Sequence, residues 1–455
     1  MRFLLINPGV LDAEGRYLPS GQEIWPGLTL PYLAALIPPR HELRLVDDCV
    51  ETVDFATPAD VVLLTAMHSR ADRAYQIADR FRANGRRVVM GGLHVSQFPE
   101  EALQHVDAVV IGEGEAVMED LIRDLEAGRL QPIYRAPGHP DLSDLPIPRY
   151  DLLNPRNYLI PSYPVQTSRG CPFNCRFCYV PQALGRRYRH RPIPDVLRDL
   201  SRAGKFVLFV DDNLMADRDY ALELFQAMKK MGKLCFAQGN IKIAEDLKLL
   251  AAARQAGVTA LYTGIETLDP AALQSVCKNV NLNVDLGEAV AVLNAHRLTV
   301  CASMILGFDS DTEATAEAML AFLEKHRVAL LFLFILVALP GPELWREMEA
   351  TGRLRPVPWY QLDGTHANFE PKNFTREQLE SLFWRTLERF YATRSILKRI
   401  SFPPRVSFTL LNFIAQRKLT RRLHPLAGFP ADLGLPRLKP LFQWVWERSD
   451  PEHPR

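Results

Sequence analysis

The chain lacks most features that mark membrane, secreted or nucleic-acid-binding proteins. No apolar run reaches the roughly 18 residues that a membrane-spanning helix needs, and the longest, Ala329 to Leu339, has the length of a buried strand. The first residues form a short strand-like run, which is not the pattern of a signal peptide. A net charge of +1 over 455 residues gives no general attraction to nucleic acid. We therefore expect a cytoplasmic protein whose partners are small molecules.

Cysteine is scarce, yet three of the seven cysteines fall within eight residues. Cys171, Cys175 and Cys178 form the pattern C-x3-C-x2-C, and an odd number of thiols cannot all pair in disulfides. A structural zinc site needs a fourth cysteine or histidine close by, and none follows until His190. Thiolates are the usual ligands of iron–sulfur clusters, normally four of them. Three ligands predict a cluster with one iron open to substrate. We expect small buried hydrophobes at the scattered positions Cys49, Cys235, Cys277 and Cys301.

The stretch from Gln166 to Val180, which holds these cysteines, resembles the radical S-adenosylmethionine superfamily. The resemblance implies that Cys171, Cys175 and Cys178 are catalytic residues that bind a [4Fe–4S] cluster. The open iron is then expected to chelate the amino and carboxylate groups of S-adenosylmethionine. The resemblance also implies that Phe177 lies against the adenine, and that an electron donor such as flavodoxin or ferredoxin reduces the cluster.

Residues 1–134 alternate short apolar runs with helical patterns such as Ala71 to Asn84. This rhythm favours a parallel α/β sheet wound on both faces, with ligands at the carboxyl ends of its strands. No G-x-G-x-x-G follows the first strand, so a nicotinamide site is excluded. Two neighbouring strand ends instead carry two glycines each, which let the backbone approach a large ligand. These glycines are Gly91, Gly92, Gly112 and Gly114.

The signatures around Asn7, Pro31, Gly91 and Gly112 resemble the Rossmann-like cobalamin-binding domain at the N-terminus of cobalamin-dependent radical enzymes. Cobalamin proteins that ligate cobalt through histidine carry D-x-H-x-x-G, which is missing here. We therefore expect a lower axial position that is empty or water-bound, and a contact role for His68 rather than cobalt ligation. The cobalamin contacts implied by the resemblance are Asn7, Thr65, Met67, Gly91, Gly92, His94, Gly112, Glu113 and Gly114.

Seven prolines in residues 135–164 predict an extended linker between domains. From 165 to 345 the strand–helix rhythm returns six times, with polar residues after each strand, which predicts a full or partial barrel with its site at those ends. The resemblance implies a partial (β/α)6 TIM-type barrel. It assigns contacts with S-adenosylmethionine to Asp212, Gln238, Glu266 and Gly307. Either Asp211 or Asp212 could instead cap the following helix.

The region 346–455 is expected to be mostly helical, with Thr375 and Gln378 forming a capping box. Between Arg389 and Pro430 there are nine Lys or Arg residues and no Asp or Glu. Two interpretations stay open for 389–430. The segment is either a packing helix with a solvated basic face, or a surface that contacts anionic membrane and recruits a hydrophobic substrate.

These resemblances together imply a cobalamin-dependent radical S-adenosylmethionine enzyme. We favour a C-methyltransferase that acts on an unactivated carbon of a hydrophobic metabolite, lipid-like or tetrapyrrole. A weak likeness of Asn368 to Pro371 to a segment of hopanoid-type methylases points the same way. The alternatives are a cobalamin-dependent cyclase or oxidative rearrangement enzyme, and a sensor that binds cobalamin or the cluster without turnover.

Overall fold

The computed structural model describes residues 1–12, 14–18, 24–143, 145–400 and 409–416. The described chain is built on two separate six-stranded parallel sheets. Both are α/β layers, as the alternating sequence pattern predicts.

The first sheet belongs to the N-terminal region. Its strands are β1 (Arg2–Asn7), β4 (Glu42–Asp47), β5 (Val61–Thr65), β6 (Arg87–Gly91), β7 (Ala108–Ile111) and β8 (Ile133–Arg135), beside a small ribbon of β2 (Val10–Leu11) and β3 (Tyr17–Leu18). The order is β4-β1-β5-β6-β7-β8. The helices are α1 (Thr29–Ala35), α2 (Ala71–Ala83), α3 (Leu93–Gln97), α4 (Pro99–His105) and α5 (Met118–Glu126). Leu4 and Ile6 of β1 pack into one core, whereas Phe3 and Leu5 pack into another, because successive side chains point to opposite faces.

The second sheet forms the barrel. Its strands are β9 (Tyr163–Val165), β12 (Phe206–Phe209), β13 (Leu234–Gln238), β14 (Val258–Glu266), β15 (Thr299–Leu306) and β16 (Leu330–Ile335), with a side ribbon of β10 (Ser168–Arg169) and β11 (Arg189–His190). The strands follow one another in chain order from β9 to β16. Within the described residues β9 and β16 do not pair, so the barrel is incomplete, as predicted. Its helices are α6 (Val180–Ala183), α7 (Ile193–Arg202), α8 (Arg218–Met228), α9 (Leu247–Gln255), α10 (Pro270–Ser275), α11 (Leu286–Ala295), α12 (Glu313–Lys325) and α13 (Glu343–Ala350).

The proline-rich segment 135–164 overlaps a β-strand at each of its ends. Strand β8 extends to Arg135, and β9 begins at Tyr163. Pro164 lies on β9, at the edge of the sheet, where a missing N–H is tolerated. Two short 3₁₀ turns, Tyr150–Leu152 and Pro155–Asn157, break the remainder.

The C-terminal helices α14 (Arg376–Phe390) and α15 (Thr393–Arg399) pack on the outside of the barrel, and residues 409–416 are also helical. The predicted capping box of Thr375 and Gln378 opens α14. No helix among the residues that the structure describes is long and apolar enough to cross a bilayer.

Several of the nine basic residues between 389 and 430 form ion pairs or hydrogen bonds with other parts of the chain. Arg389 pairs with Glu317, and Lys398 pairs with Glu324. Arg399 is buried and donates to the carbonyls of Phe390 and Val328, at 2.8 and 2.9 Å. Of the other basic residues, Arg394 is exposed on α15, and Arg405, Arg417, Lys418, Arg421 and Arg422 lie outside the described residues.

Candidate cofactor site

The carboxyl ends of the two sheets border one shared cavity of about 480 Å³. Its N-terminal side is formed by Thr65, Gly91, Gly92, Gly112 and Gly114. Its barrel side includes Gln166, Arg169, Tyr179, Val210 and Asp212. Carboxyl ends of parallel strands are where such sheets bind ligands. The structure thus brings together five predicted cobalamin contacts and one predicted contact with S-adenosylmethionine.

The cysteine loop follows β10 on the barrel side. All three thiols are free, and the Cys178 amide donates to the carbonyl of Cys175 at 3.0 Å. Burial raises the pKa of Cys175 to about 11 and of Cys178 to about 12, and it also raises the pKa of Cys171. Within the described part of the chain, no three His, Cys, Asp or Glu side chains are placed to hold one metal ion. Three free thiols on one short loop, one buried and two half-buried, fit the donor set of an iron–sulfur cluster.

The other four cysteines differ among themselves. Cys49, Cys235 and Cys301 are buried, as expected of small hydrophobes. Cys277 is only half-buried, has a left-handed backbone with φ of 56°, and lies close enough to Cys175 to influence its pKa.

The two adjacent aspartates after β12 have different roles. Asp211 is fully buried and accepts from the Thr167 hydroxyl at 2.7 Å and the Ser168 hydroxyl at 2.6 Å, so it fixes the start of the cysteine loop. Asp212 lines the shared cavity, and burial together with the Asp211 charge raises its pKa to about 7. Neither caps the following helix, because Asp217 is the N-cap of α8. Asp212 is therefore the carboxyl available to a ligand.

Glu266 lies at the end of β14 in the left-handed region, with φ of 66°. Such backbone is strained for a residue with a long side chain and is held by its surroundings. Its carboxylate accepts from Lys278 Nζ at 2.8 Å. Burial alone lowers the pKa of Lys278, but the charges of Glu266 and Cys175 outweigh it, so this pKa is raised. Sequence reasoning missed Lys278, because it stands 12 residues after Glu266 in a loop without a motif.

Three further predicted contacts with S-adenosylmethionine do not line the cavity. The Gln238 side chain donates to the Asp212 carbonyl at 3.1 Å. Phe177 packs on a hydrophobic cluster that contains Phe308. Gly307 has a φ of 112°, where glycine is favoured. Their roles toward S-adenosylmethionine stay predictions.

An ion network joins the N-terminal region to the barrel. Glu113 accepts from Arg169, Arg189 and His139, the last at 2.9 Å, and Arg169 also pairs with Glu115. Burial alone raises the pKa of Glu113, but hydrogen bonds from Arg189 and Arg169 outweigh it and lower this pKa. Its oxygens are used between the two regions, and its cobalamin contact stays a prediction. Sequence reasoning missed Arg169, although it stands two residues before Cys171.

The predicted cobalamin contacts Asn7, Met67 and His94 do not line the shared cavity. Asn7 donates to Asp47 at 2.9 Å beside a smaller neighbouring cavity, and the Met67 side chain is exposed. His94 is fully buried, with its ring nitrogens 3.0 Å from His68 and 2.8 Å from the Tyr75 hydroxyl. Their cobalamin contacts stay predictions, since a strand-end position alone does not say which way a side chain points.

The glycines of the N-terminal wall differ in what an added side chain would meet. Gly92 has a φ of 106°, and a Cβ there would lie 2.6 Å from the Ala66 carbonyl oxygen. Gly112 has a φ of 86°. At Gly27, also on the cavity wall, a Cβ would meet nothing within 4 Å. Bare backbone on this wall leaves room for a ligand that side chains would otherwise fill.

Comparison with known proteins agrees with this geometry. Residues 165–323 match the model of the Radical SAM superfamily, and residues 20–122 match that of the B12 binding domain. Fold and site thus define a radical S-adenosylmethionine enzyme with a cobalamin-binding domain. The chain is 30% identical to the bacteriochlorophyllide d C-12(1)-methyltransferase of Chlorobaculum tepidum, over 80% of this chain and 82% of that one. It belongs to the family of cobalamin-binding radical S-adenosylmethionine methylases, whose cofactors are a [4Fe–4S] cluster, S-adenosylmethionine and cobalamin.

Other relatives are consistent with this assignment. The hopanoid C-2 methylase of Rhodopseudomonas palustris is 29% identical, over 81% of this chain and 72% of that one. Among solved structures, the cobalamin-dependent radical enzyme OxsB superposes with a TM-score of 0.67 at 14% identity, covering 98% of this chain and 75% of that one. The methyltransferase TsrM from Kitasatospora setae gives 0.61 at 16% identity, covering 78% and 76%. These two structures support the fold.

Proposed function

We propose that this methyltransferase places a methyl group on an unactivated carbon of a hydrophobic metabolite, lipid-like or tetrapyrrole. The proposal rests mainly on one cavity, which is lined both by the strand-end glycines of the N-terminal sheet and by Asp212 of the barrel. Two cofactors bound on these walls would face one substrate between them. Two relatives are named for bacteriochlorophyllide and hopanoid, which supports a large and mainly apolar substrate.

When bound, the cluster with S-adenosylmethionine supplies hydrogen abstraction from carbon, and cobalamin supplies the methyl group. The chain's residues would position and shield these groups. Asp212 would accept a hydrogen bond from the methionine amino group, and that bond would favour the ionised carboxylate and lower its raised pKa. The ion network around Glu113 and Arg169 would fix the distance between the two walls. A buried Arg169 beside the cavity would also exclude water from the site.

The test is anaerobic turnover of the reconstituted full chain with S-adenosylmethionine labelled in its methyl group. Lipid and tetrapyrrole extracts serve as substrates, and both label transfer and 5′-deoxyadenosine are measured. Label in an extractable hydrophobic product supports the proposal. Formation of 5′-deoxyadenosine without label transfer would point to the cyclase or rearrangement alternative. Absence of both, with cluster and cobalamin loaded, would point to a sensor.

We further propose that flavodoxin or ferredoxin reduces the cluster, and that the protein works in the cytoplasm, with residues 389–430 contacting anionic membrane. The packing of Arg389, Lys398 and Arg399 onto the barrel weakens the membrane proposal for those three positions. Co-sedimentation with anionic and neutral vesicles at low and high salt tests it. Binding that needs anionic lipid and falls with salt is expected, whereas equal partitioning to both vesicles would contradict it.

A further inference from the structure

A second cavity of about 580 Å³ lies in the barrel at the opposite end from the cysteine loop. We call it the barrel chamber. It is bordered by the first residues of four strands, Phe206, Leu234, Thr299 and Leu330, and by Leu411 and Ile414 of the helix 409–416. Most of its wall is apolar, and its volume falls within the range of ordinary small-molecule sites. None of the cofactor contacts described above borders it.

An aromatic layer closes the inner end of the barrel chamber. The Trp25 ring lies 5.5 Å from that of Phe236 and 6.1 Å from that of Phe332, and Tyr262 meets Phe332 at 5.1 Å. Trp25 comes from the N-terminal region, where the Ile160 amide donates to the Ile24 carbonyl at 2.7 Å. The residues that follow, 27–29, line the cofactor cavity. Residues 24–29 therefore border both cavities.

Two arginines border the barrel chamber. Arg254 donates to the Val258 carbonyl at 2.7 Å, and burial together with the nearby Arg297 lowers its pKa. Arg297 has a left-handed backbone, with φ of 61°. In the described part of the chain neither guanidinium has a carboxylate within 4.0 Å. Arg297 is exposed, but Arg254 is half-buried, and most buried or half-buried arginines here are paired. An anion between the two would relieve their repulsion through charge-assisted hydrogen bonds.

We propose that the barrel chamber binds an elongated amphipathic carboxylate. Its acid group contacts Arg254 and Arg297, its apolar body fills the barrel, and its far end lies against Trp25, where residues 24–29 also border the cofactor cavity. This inference rests on the proposed function in one respect, since it takes the bound acid to be the substrate of methylation. It narrows the substrate from a hydrophobic metabolite to one with an anionic end remote from the reacting carbon.

The binding test uses the full-length reconstituted protein and a fluorescent probe, 11-(dansylamino)undecanoic acid, beside its neutral methyl ester. The acid is expected to bind, and the double variant Arg254→Gln with Arg297→Gln should weaken its binding about tenfold, because charge-assisted hydrogen bonds are lost. The ester should bind this variant as it binds the parent. Lys248→Gln, an exposed change on the same helix as Arg254, is the matched control and should leave both probes unchanged.

A second variant tests the location. Ser162 is buried on the chamber wall in the loop before β9, so Ser162→Trp should occupy the chamber and weaken both acid and ester. Iron and cobalamin contents, measured for every variant, show that the protein is folded. Acid and ester bound equally by parent and double variant would overturn the proposal, as would unchanged binding in Ser162→Trp.

The two proposals fail separately. Probe binding as expected, with no labelled product from any extract, would remove the methylation of this acid and leave the barrel chamber as a carboxylate site. In the other outcome the protein does not bind the probe, yet the parent and the Arg254→Gln, Arg297→Gln variant form equal amounts of labelled product. That result would remove the chamber inference and keep the methyltransferase function.

Discussion

The two walls of the cofactor cavity are built in different ways. The N-terminal wall is mainly backbone, with Gly91, Gly92, Gly112 and Gly114 at strand ends. The barrel wall carries ionisable side chains. Asp212 lines the cavity, and the cysteine thiols and Lys278 lie outside its lining. A wall of backbone selects a ligand by shape, whereas a wall of thiols and charges selects it by donor atoms. The comparison predicts that each wall can be damaged without loss of the other cofactor.

The largest effect is expected on the barrel wall. Cys178→Ala removes one of three thiolate ligands and should abolish 5′-deoxyadenosine formation, while cobalamin content stays at the parent level. The parent should hold about four irons and four sulfides after reconstitution. Cys235→Ala, a buried cysteine within the barrel core, is the control and should keep its iron. Full activity of Cys178→Ala would refute the assignment of the cluster.

The converse change is Gly92→Ala on the N-terminal wall. At φ of 106° with backbone 2.6 Å away, an added Cβ must displace the strand end, so cobalamin binding should weaken about tenfold or more while iron content is kept. Gly128→Ala is the control, because Gly128 also has positive φ but open space around it. It distinguishes the general effect of backbone strain from an effect on the cobalamin site. Equal cobalamin affinity in the two variants would mean that Gly92 does not shape the site.

The buried pair behind the barrel wall should matter for stability. Lys278→Met leaves Glu266 buried without its cation and is expected to lower the free energy of unfolding by roughly 3–5 kcal/mol. The surface pair Lys398–Glu324 is the comparison, and Lys398→Gln should cost no more than about 1 kcal/mol. Urea unfolding of the cofactor-free proteins measures both. Similar losses in the two variants would contradict the burial argument.

The smallest effect concerns histidines beneath the N-terminal wall. Burial lowers the pKa of His68 to about 3 and of His94 to about 4, so the folded state keeps both rings neutral. Below pH 6.5, near the ordinary pKa of histidine, the unfolded chain binds protons at these two rings and the folded chain does not. Stability is therefore full above about pH 6.5 and should fall by roughly 2 kcal/mol by pH 5.5.

Thermal or urea unfolding between pH 5 and 8 checks this dependence. His68→Gln should flatten the slope, whereas His296→Gln, at an exposed histidine, should leave it unchanged. A slope unaltered by His68→Gln would show that other groups cause the acid sensitivity.

The sequence by itself determined which segments form the central strands, that residues 165–345 form a full or partial barrel, and where the three cysteines lie together. Apolar runs that end in glycine or polar residues are a local signal, because a strand buried on both faces must be apolar along its length. Three cysteines in eight residues lie on one short loop in any fold. The capping box at Thr375 and Gln378 is equally local, since it involves residues three apart.

Only the tertiary structure decided which strand-end residues face the cofactor cavity. His94 and Glu113 stand at the predicted ends, yet one is enclosed by aromatic rings and the other is held by arginines from the barrel. Lys278 pairs with Glu266 from a loop that carries no motif. Trp25 packs inside the barrel against Phe236, which is far from it in the chain. The direction of a side chain and its charged partners depend on packing between segments, which spacing along one segment does not contain.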